Sequence, residues 1–381
     1  MNHALAETVA GQFAVDGPLV AVEPFAGGHI HDSYVATCDS PTVVRRFLLQ
    51  RINTAIFRDP PRLMDNIVRV TRHIAARLRS QGIADVERRV LTVIPAADGR
   101  PFVPAPDGSY WRMYRFIERT RVHEAVQTPA QAECAGRAFG DLQRLLADFP
   151  VGELHETIPD FHNTPLRLAA LERAIAADVC SRVREAQREI ELVRQHRDLA
   201  PVLVNLLQTG VLPLRVVHND AKLSNVLLDD GTGEGLCVVD LDIVMPGTAL
   251  YDFGDMVRSM TTTAAEDEPD ASKVALSPSL FAALARGYLA AASAFLTPPE
   301  HGHLVFAGQL ITLEQAIRFL TDFLTGDTYY KTSRPNHNLD RTRTQLKLLA
   351  DLTRREAELS RLIRLLAQDT SPRSVAPPWA T

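Results

Sequence analysis

The chain shows one hydrophobic pattern in its first third and another in the rest. Between residues 20 and 52, the runs VAVEPF, SYVAT and TVVRRFLLQRI are rich in β-branched and large apolar residues, which predicts strands. A helix is predicted from residue 59 to about 80, because Asp59-Pro60-Pro61 is a helix start and apolar residues follow at helical spacing, as Leu63, Ile67, Val70, Ile74 and Leu78. Further strands are predicted near Val90–Ile94 and Tyr110–Ile117.

After residue 117 the pattern becomes helical. Helical stretches are predicted at 130–147, 168–207, 304–324 and 341–366, and a polar, acidic stretch at 260–279 interrupts them. This order predicts an α+β protein with two lobes. The first would be a small β-rich lobe at 1–117, and the second a larger, mainly helical lobe at 118–381.

The composition is that of a globular protein and narrows the classes of partner. The chain has 381 residues, enough for about two domains, and a net charge of −5, which argues against nucleic acid as the main partner. No apolar run reaches the roughly 20 residues that cross a bilayer, and we expect no signal peptide. The cysteines form no C-x-x-C pair. We therefore expect a cytoplasmic protein without a zinc site, a membrane partner or a nucleic-acid partner.

The stretch from Val217 to Asp255 carries the clearest chemical signal. His218, Asp220, Lys222 and Asn225 follow the order H-x-D-x-K-x-x-N, and Asp240 comes fifteen residues after Asn225 at the end of an apolar run. This is the spacing of a kinase catalytic loop followed by a metal-binding aspartate. In such a loop one carboxylate orients and deprotonates a hydroxyl, and two other side chains hold Mg²⁺.

Strand geometry gives a separate reason to pair Asn225 with Asp240. The apolar runs at 226–228 and 236–239 flank the turn-rich DDGTGEG, which predicts a β-hairpin. A turn centred between Thr232 and Gly233 would set Asn225 opposite Asp240, where an amide and a carboxylate can share one Mg²⁺ ion. The alternative is an ordinary surface hairpin with polar residues at its ends.

Several longer runs resemble one kinase family. They are GGHIHDSY at 27–34, LLQRINTAIF at 48–57, HNDAKLSNVLLD at 218–229, VVDLDIVMPG at 238–247, YDFGD at 251–255 and IRFLTDFLTGDTYYK at 317–331. The chain resembles the aminoglycoside phosphotransferase-like kinase family, and within it the N-acetylhexosamine 1-kinases. The resemblance implies a protein-kinase-like two-lobed fold with the nucleotide in the N-terminal lobe. It also implies ATP and Mg²⁺ as cofactors, and phosphorylation of the anomeric hydroxyl of N-acetylglucosamine or N-acetylgalactosamine.

The resemblance also implies roles for individual residues. Asp220 would be the catalytic base and would contact the acceptor, and Asn225 and Asp240 would be the Mg²⁺ ligands. Gly27 and Gly28 would lie over the ATP phosphates.

Arg318 and Tyr329 would contact the sugar. Arg318 lies in an apolar helical stretch, where a cation needs a partner. The alternative to sugar binding is a salt bridge to a nearby acid such as Asp322, one turn further on. Tyr329 would equally serve as a packing residue.

The chain departs from the protein-kinase pattern in its third strand, FLLQRI, which has no lysine to hold the phosphates. We favour Arg51, which shares a strand face with Phe47 and Leu49, and Gln50 is the alternative if the register slips by one. The helix that follows has Asp65 as its only acid.

Four polar residues around the catalytic loop allow two interpretations each. Asp242 replaces the glycine of a D-F-G run, and it would be an extra metal or water ligand or a surface cap. Lys222 would reach the γ-phosphate or be a solvated surface lysine. His218 is expected to brace the loop rather than carry protons. Asp252 would cap its own helix or bind the backbone of the catalytic loop.

Two other functions compete with the sugar kinase. The first is another small-molecule kinase of the same fold, acting on an aminoglycoside, choline, homoserine or a different sugar. The second is a non-catalytic binding protein with a pseudokinase fold. The presence of Asp220, Asn225 and Asp240 argues against this second alternative.

Overall fold

The computed structural model describes residues 3–26, 30–39 and 44–370. Its strands are β1 (Leu19–Pro24), β2 (Asp32–Asp39), β3 (Val44–Ile52), β4 (Val93–Ile94), β5 (Val103–Pro104), β6 (Tyr110–Arg115), β7 (Thr120–Arg121), β8 (Arg215–Val217), β9 (Val226–Asp229), β10 (Gly235–Val238) and β11 (Met245–Gly247). Its helices are α1 (His3–Ala10), α2 (Pro60–Ser80), α3 (Val86–Arg89), α4 (Pro129–Leu145), α5 (Thr164–Ala177), α6 (Gln187–Gln195), α7 (Val202–Gln208), α8 (Ala249–Met260), α9 (Pro278–Ala292), α10 (Pro298–Gly302), α11 (Leu304–Leu324), α12 (His337–Arg354) and α13 (Glu356–Thr370). The expected α+β class, with a β-rich N-terminal region and a helical C-terminal region, is confirmed.

The chain divides into two compact units that are not continuous in sequence. The first unit is formed by Met1–Arg121, Asp148–Pro159 and Leu227–Pro246, and the second by Val122–Ala147, Asp160–Val226 and Gly247–Thr381. The structure therefore differs from the predicted continuous lobes at 1–117 and 118–381. The reason lies in β7, which pairs antiparallel with β9 and so brings the later hairpin into the first unit.

The first unit is built on a mainly antiparallel sheet in the strand order β1-β2-β3-β6-β4, with β5 also paired to β6. Successive side chains of a strand point to opposite faces, so β3 divides into two sets. Phe47 and Leu49 are buried in an apolar core with residues of α1. Gln50 is on the other face, opposite Ser33 of β2 and Arg112 of β6.

Helix α2 follows the predicted start and pattern. The Asp59 carboxylate accepts a hydrogen bond from the Arg62 amide at 3.1 Å, and Pro60 occupies the first turn, where its missing N–H costs nothing. The apolar stripe predicted from the sequence is buried, at Leu63, Ile67, Val70, Ile74 and Leu78. Burial of one such stripe is what stabilises a helix of this kind in water.

The second unit is helical, and two of its helices, α4 and α9, approach each other closely. Glycine makes this possible, because a Cβ on Gly287 would overlap the carbonyl oxygen of Glu133, and one on Gly136 would overlap that of Leu284. Helix α11 has the predicted bounds, 304–324. The stretch at 168–207, predicted largely helical, is instead divided into α5, α6 and α7.

Among the described residues, no helix combines the length and the apolar character that crossing a bilayer requires.

We expect Gly287→Ala to destabilise the protein, because the new methyl group would push α4 and α9 apart. Overpacking of this kind costs about 1–3 kcal/mol. The urea midpoint should fall while the slope of the transition stays constant. The matched control is Gly302→Ala in α10, where a Cβ would meet nothing within 4 Å. This control should be neutral or stabilising by up to about 1 kcal/mol. Equal midpoints for the two variants would contradict the close helix contact.

Candidate active site

The loop that follows β8 places a carboxylate between a cation and an amide. The Asp220 side chain lies 2.8 Å from Lys222 Nζ, and it accepts a hydrogen bond from Asn225 Nδ2 at 2.9 Å. The same Asn225 nitrogen also donates to the Asp220 carbonyl oxygen at 2.8 Å. The solvated-lysine interpretation of Lys222 is therefore not what the structure shows, because Lys222 is paired with Asp220.

Asn225 fits the role of a metal ligand. Its NH₂ group is committed to Asp220, which leaves the carbonyl oxygen Oδ1 as the atom for a cation. Mg²⁺ takes oxygen ligands from one or two protein groups, and phosphate and water oxygens complete its octahedron. An amide oxygen and a carboxylate would together meet that requirement.

The backbone of this loop is held by Asp252, which is fully buried in α8. Its carboxylate accepts the amides of His218 at 3.0 Å and Asn219 at 2.7 Å, and the side chain of Gln143 at 2.8 Å. Burial raises the pKa of Asp252, and these hydrogen bonds oppose the rise. Of the two interpretations of Asp252, the structure shows binding of the loop backbone. The side chain that caps α8 is Thr248.

His218 braces the loop, as expected from its position. The ring is fully buried, and it packs edge to face on Phe139 with 5.3 Å between the ring centres. Its Nδ1 accepts the Asp220 amide at 3.2 Å, so this nitrogen carries no proton. The histidine therefore fixes the backbone of the residue that bears the reactive carboxylate.

The electrostatic environment keeps Asp220 ionised. Burial by itself would raise the pKa of the carboxyl group, but Lys222, His218 and Asn225 outweigh it and lower the pKa below its ordinary value. Asp220 is therefore negatively charged at neutral pH. It is suited to accepting a hydrogen bond from a hydroxyl group and to aiming that oxygen at an electrophile.

The hairpin between β9 and β10 differs from the prediction in its turn. The Asp229 amide donates to the Glu234 carbonyl at 2.9 Å, and the Gly233 amide donates to the Asp229 carbonyl at 2.8 Å. These bonds centre the turn about one residue before the predicted point between Thr232 and Gly233. The Asp229 side chain accepts hydrogen bonds from the backbone amides of residues 231 and 232. These bonds shift the turn toward β9.

Because of this difference, the register argument that set Asn225 opposite Asp240 loses its basis. Asn225 belongs to the second unit and Asp240 to the first. A Mg²⁺ ion shared by the two stays a prediction. Asp240 itself is only partly exposed, and its backbone is left-handed, with φ 60° and ψ 56°.

The nucleotide-binding residues predicted in the N-terminal region have different outcomes. Gly27 and Gly28 lie outside the described residues. Arg51 is on the strand face that α1 covers, where it pairs with Asp32 at 3.7 Å and Asp107 at 3.3 Å. This position does not support our preference for Arg51 as the phosphate clamp, because the same face buries the apolar core with α1.

Gln50, the alternative, is on the opposite face of the sheet and meets a cation there. Its Nε2 donates to Ser33 Oγ at 3.1 Å, and its Oε1 accepts from Arg112 Nε at 3.0 Å. Arg112 is almost fully buried. Sequence reasoning missed Arg112, although a charged residue inside the apolar strand YWRMY is the same signal that drew attention to Arg318.

Asp242 is not a surface cap, which corrects that interpretation, whereas its role as an extra metal or water ligand stays a prediction. Its carboxylate is 2% exposed and forms a bidentate pair with Arg112, whose Nη2 lies 2.9 Å from Oδ2. His31 Nε2 lies 2.6 Å from the same Oδ2. Although burial would raise the pKa of Asp242, Arg112 and His31 lower it far below the ordinary value. Both oxygens accept hydrogen bonds from the protein.

In the second unit, Arg318 lies between two aromatic rings. Its guanidinium is 5.1 Å from the ring centre of Phe161 and 5.8 Å from that of Tyr330, and Nη1 donates to Gln315 at 3.2 Å. Burial would lower the pKa of Arg318, but Tyr330, Glu314 and Tyr329 hold it above its ordinary value. The guanidinium therefore keeps its charge while most of its surroundings are aromatic.

Asp322, the example given for the salt-bridge alternative, is not the partner of Arg318. Its carboxylate accepts the backbone amides of Thr328, Tyr329 and Tyr330 at 2.8–2.9 Å, and Asn338 Nδ2 at 2.9 Å. Asp322 thus fixes the loop that carries the tyrosines. Tyr329 itself is 61% exposed and meets Tyr330 edge to face, so packing alone does not account for its position.

Glu314, one turn earlier in α11, places a negative charge near Arg318, and sequence reasoning missed it. Glu314 is buried and accepts hydrogen bonds from Thr164 at 2.6 Å and from His162 Nδ1 at 2.8 Å. Burial would raise the pKa of Glu314, but His162, Arg318 and Thr164 lower it. The spacing of Glu314 and Arg318, four residues apart on one helix, was a signal in the sequence. His162 gave none.

A route of contacts joins Arg318 to the catalytic loop within the second unit. Phe161, over which Arg318 lies, meets His162 edge to face, and His162 packs at a tilt against Tyr251 with 4.7 Å between the ring centres. Tyr251 precedes Asp252, which holds the loop backbone. Arg318 and Asp220 are thus parts of one continuous polar and aromatic network.

Comparisons with known proteins agree with this geometry. The sequence pattern of the phosphotransferase enzyme family matches residues 21–301. The structure is similar to that of a microcompartment-associated aminopropanol kinase, with 17% identity, a TM-score of 0.57, and coverage of 94% of this chain and 98% of that chain. It is also similar to an aminoglycoside phosphotransferase from Alicyclobacillus acidocaldarius, with 13% identity, a TM-score of 0.54, and coverage of 95% and 96%. These structures confirm the kinase-like fold.

We expect Lys222→Met to raise the pKa of Asp220, because the lysine charge and hydrogen bond hold that pKa down. Carboxyl ¹³C shifts of protein labelled at aspartate would report the change, with the Asp220 signal assigned by its loss in Asp220→Asn. The titration should move to higher pH. As a control, Lys347→Met removes a lysine that pairs with Asp351 in α12, and it should leave the Asp220 titration in place. An unchanged curve in Lys222→Met would show that the lysine does not set the charge of Asp220.

Proposed function

The chain belongs to the phosphotransferase enzyme family, and we propose that it is an ATP-dependent sugar kinase. The proposed acceptor is an N-acetylhexosamine, N-acetylglucosamine or N-acetylgalactosamine, phosphorylated at its anomeric hydroxyl. The observation that carries the proposal is the catalytic loop, in which an ionised Asp220 is held between Lys222 and Asn225. The choice of acceptor rests on the surroundings of Arg318 and on the sequence resemblance.

Phosphoryl transfer requires positioning and charge neutralisation more than covalent chemistry from the protein. Asp220 would accept the proton of the acceptor hydroxyl and direct its oxygen in line with the γ-phosphorus. Lys222 would remain close to the transferred group. Asn225 and Asp240 would hold Mg²⁺, which neutralises charge on the phosphates when it is bound.

The surroundings of Arg318 favour an acceptor without positive charge. A cationic acceptor beside the guanidinium would be repelled unless carboxylates compensated. Two acids of α11 are already engaged, Glu314 by His162 and Thr164, and Asp322 by backbone amides. The aromatic rings of Phe161 and Tyr330 offer flat apolar surfaces, which suit the faces of a sugar ring.

The similar structures are named for an aminopropanol kinase and an aminoglycoside phosphotransferase, whose acceptors carry ammonium groups. An acceptor of that kind is the main alternative for this chain, together with choline, homoserine or another sugar. The engaged acids around Arg318 argue against the cationic members of this group. The intact catalytic loop argues against a pseudokinase that only binds.

An ADP-release assay over a panel of free sugars, aminoglycosides and amino alcohols tests the proposal. We expect turnover with an N-acetylhexosamine and little with cationic acceptors. Asp220→Asn should fold normally and lose about 10²–10⁴-fold in turnover, the usual effect of removing a general base. Turnover on amino alcohols alone would replace the sugar assignment. Nearly full activity in Asp220→Asn would contradict the catalytic role of the loop.

We expect Arg318→Met to raise KM for the N-acetylhexosamine while KM for ATP stays near the wild-type value. Methionine keeps the apolar stem of the side chain, and the loss of a hydrogen bond from a charged group costs about 1.5–3 kcal/mol. The matched control is Arg182→Met, because Arg182 also lies over an aromatic ring, Phe323, at 4.7 Å but pairs with Asp327. That control should leave both KM values in place. A lower melting temperature with unchanged sugar KM would make Arg318 a structural residue.

A further inference from the structure

A buried polar cluster lies in the first unit, on the sheet face away from α1. Its centre is Asp242, which binds both Arg112 and His31. The side chains of Arg112 and Asp242 are each 2% exposed and that of His31 is 6% exposed. Water has almost no access to these groups, so the protein supplies their hydrogen bonds.

The hydrogen bonds fix the proton positions in this cluster. The Asn53 amide donates to His31 Nδ1 at 3.1 Å, so that nitrogen carries no proton. Nε2 must then carry the proton that is donated to Asp242 at 2.6 Å. His31 is thus a neutral donor, and the charge of Asp242 is balanced by Arg112 alone.

Through this cluster the short 3₁₀ turn at Leu241–Ile243 is attached to three strands of the sheet. Arg112 is in β6, and its Nε donates to Gln50 of β3 at 3.0 Å. Gln50 in turn donates to Ser33 of β2 at 3.1 Å. His31 precedes β2 directly. The Asp242 carboxylate is therefore connected by hydrogen bonds, directly or through a neighbouring side chain, to β2, β3 and β6.

Two further bonds hold the backbone of the same turn. The Asp242 carbonyl accepts the hydroxyl of Thr157 at 3.2 Å, and the Val244 carbonyl accepts Asn66 Nδ2 at 3.1 Å. Asn66 lies in α2, the helix that has no glutamate for an ion pair with a strand cation. Side chain and backbone of the segment after Asp240 are thus both fixed.

The conformation of Asp240 explains why such support is needed. Its left-handed backbone, φ 60° and ψ 56°, is uncommon for a residue with a Cβ, although aspartate adopts it more readily than most. Such a conformation persists only where the surroundings determine it. The Asp242 attachment begins two residues later.

Stability alone does not account for the cluster. Replacing a buried ion pair by apolar residues of similar volume is often neutral or stabilising. An Arg–Asp pair with a neutral histidine donor is instead suited to fixing one geometry, because a bidentate pair restrains both distance and direction.

We propose that Arg112, with Gln50 and His31, is a positioning residue that fixes Asp240 for metal binding by clamping Asp242. In protein kinases a lysine on the third strand forms the internal ion pair of the nucleotide site. In this chain the third strand has no lysine, and a buried cation, Arg112, is on β6, one strand further along the sheet. The inference rests on the proposed function, in which Asp240 binds the metal of the nucleotide complex.

The test measures metal binding without turnover. Thermal shifts of wild type and of the double variant Arg112→Gln/Asp242→Asn are recorded with ADP at increasing Mg²⁺ concentration. The double variant leaves no uncompensated buried charge, and its amides can still form hydrogen bonds. The Mg²⁺ concentration for half of the full ADP-dependent shift should rise about 10–100-fold, the usual effect of losing a residue that orients a metal ligand. KM for the sugar should stay within about twofold.

The matched control is Arg258→Gln/Asp255→Asn, a second buried pair, with side chains 10% and 7% exposed, in α8 of the second unit. It should lower the melting temperature without moving the Mg²⁺ midpoint. The single variant Arg112→Lys keeps the charge but loses the bidentate geometry, and its midpoint should lie between those of wild type and the double variant.

The outcomes separate the two levels of the proposal. Wild-type protein that shows no Mg²⁺-dependent shift with ADP would overturn the proposed function and this inference with it. A normal shift in wild type, with the same midpoint in the double variant, would overturn the inference alone. If the double variant does not fold, the single variant Arg112→Lys provides the test. A Mg²⁺ midpoint equal to that of wild type in this variant would contradict the positioning role of Arg112.

Discussion

A buried carboxylate must be surrounded by hydrogen-bond donors, and this requirement organises the polar structure of both units. In the second unit, Asp252 draws the amides of His218 and Asn219 toward α8 and so sets the path of the catalytic loop. In the first unit, Asp242 draws Arg112 and His31 together. Each carboxylate lies next to a proposed functional residue without being one itself.

The same requirement distinguishes the residues proposed for chemistry. Asp220 and Asp240 are partly exposed, while Asp242 and Asp252 are buried. Each buried carboxylate accepts three hydrogen bonds from the protein, which hold its neighbours in place. The partly exposed pair is the one that a ligand could reach, in agreement with the roles proposed for it. This division also explains why removing a buried carboxylate would act on the neighbour's position rather than on a chemical step.

Local patterns in the sequence predicted the elements whose signals are local. The capping residue Asp59, the apolar stripe of α2 and the bounds of α11 depend on neighbours within a few positions. The catalytic-loop motif is also local, and the structure brings Asp220, Lys222 and Asn225 together as expected.

Contacts between residues that are far apart in the sequence could not be predicted from local patterns. The pair of Arg112 and Asp242 joins residues 130 positions apart, and nothing near either residue specifies the other. The same is true of His162 and Glu314, 152 positions apart. The predicted centre of the hairpin turn was wrong for a different reason. Its centre is decided by how Asp229 binds the amides that follow it, and the composition DDGTGEG permits more than one centring.

The acceptor side of the site shows how a single carboxylate can affect specificity without touching a ligand. Asp322 binds three consecutive amides, at residues 328–330, and this fixes the loop that presents Tyr329 and Tyr330. Because its oxygens already accept these hydrogen bonds, Asp322 is poorly placed to form a direct ion pair with an ammonium group. Arg318 contributes a positive charge on the same helix, and the negative charge of Glu314 helps to hold the pKa of Arg318 up. The proposed preference for an uncharged acceptor would thus follow from the hydrogen bonds that Glu314 and Asp322 already accept from the protein.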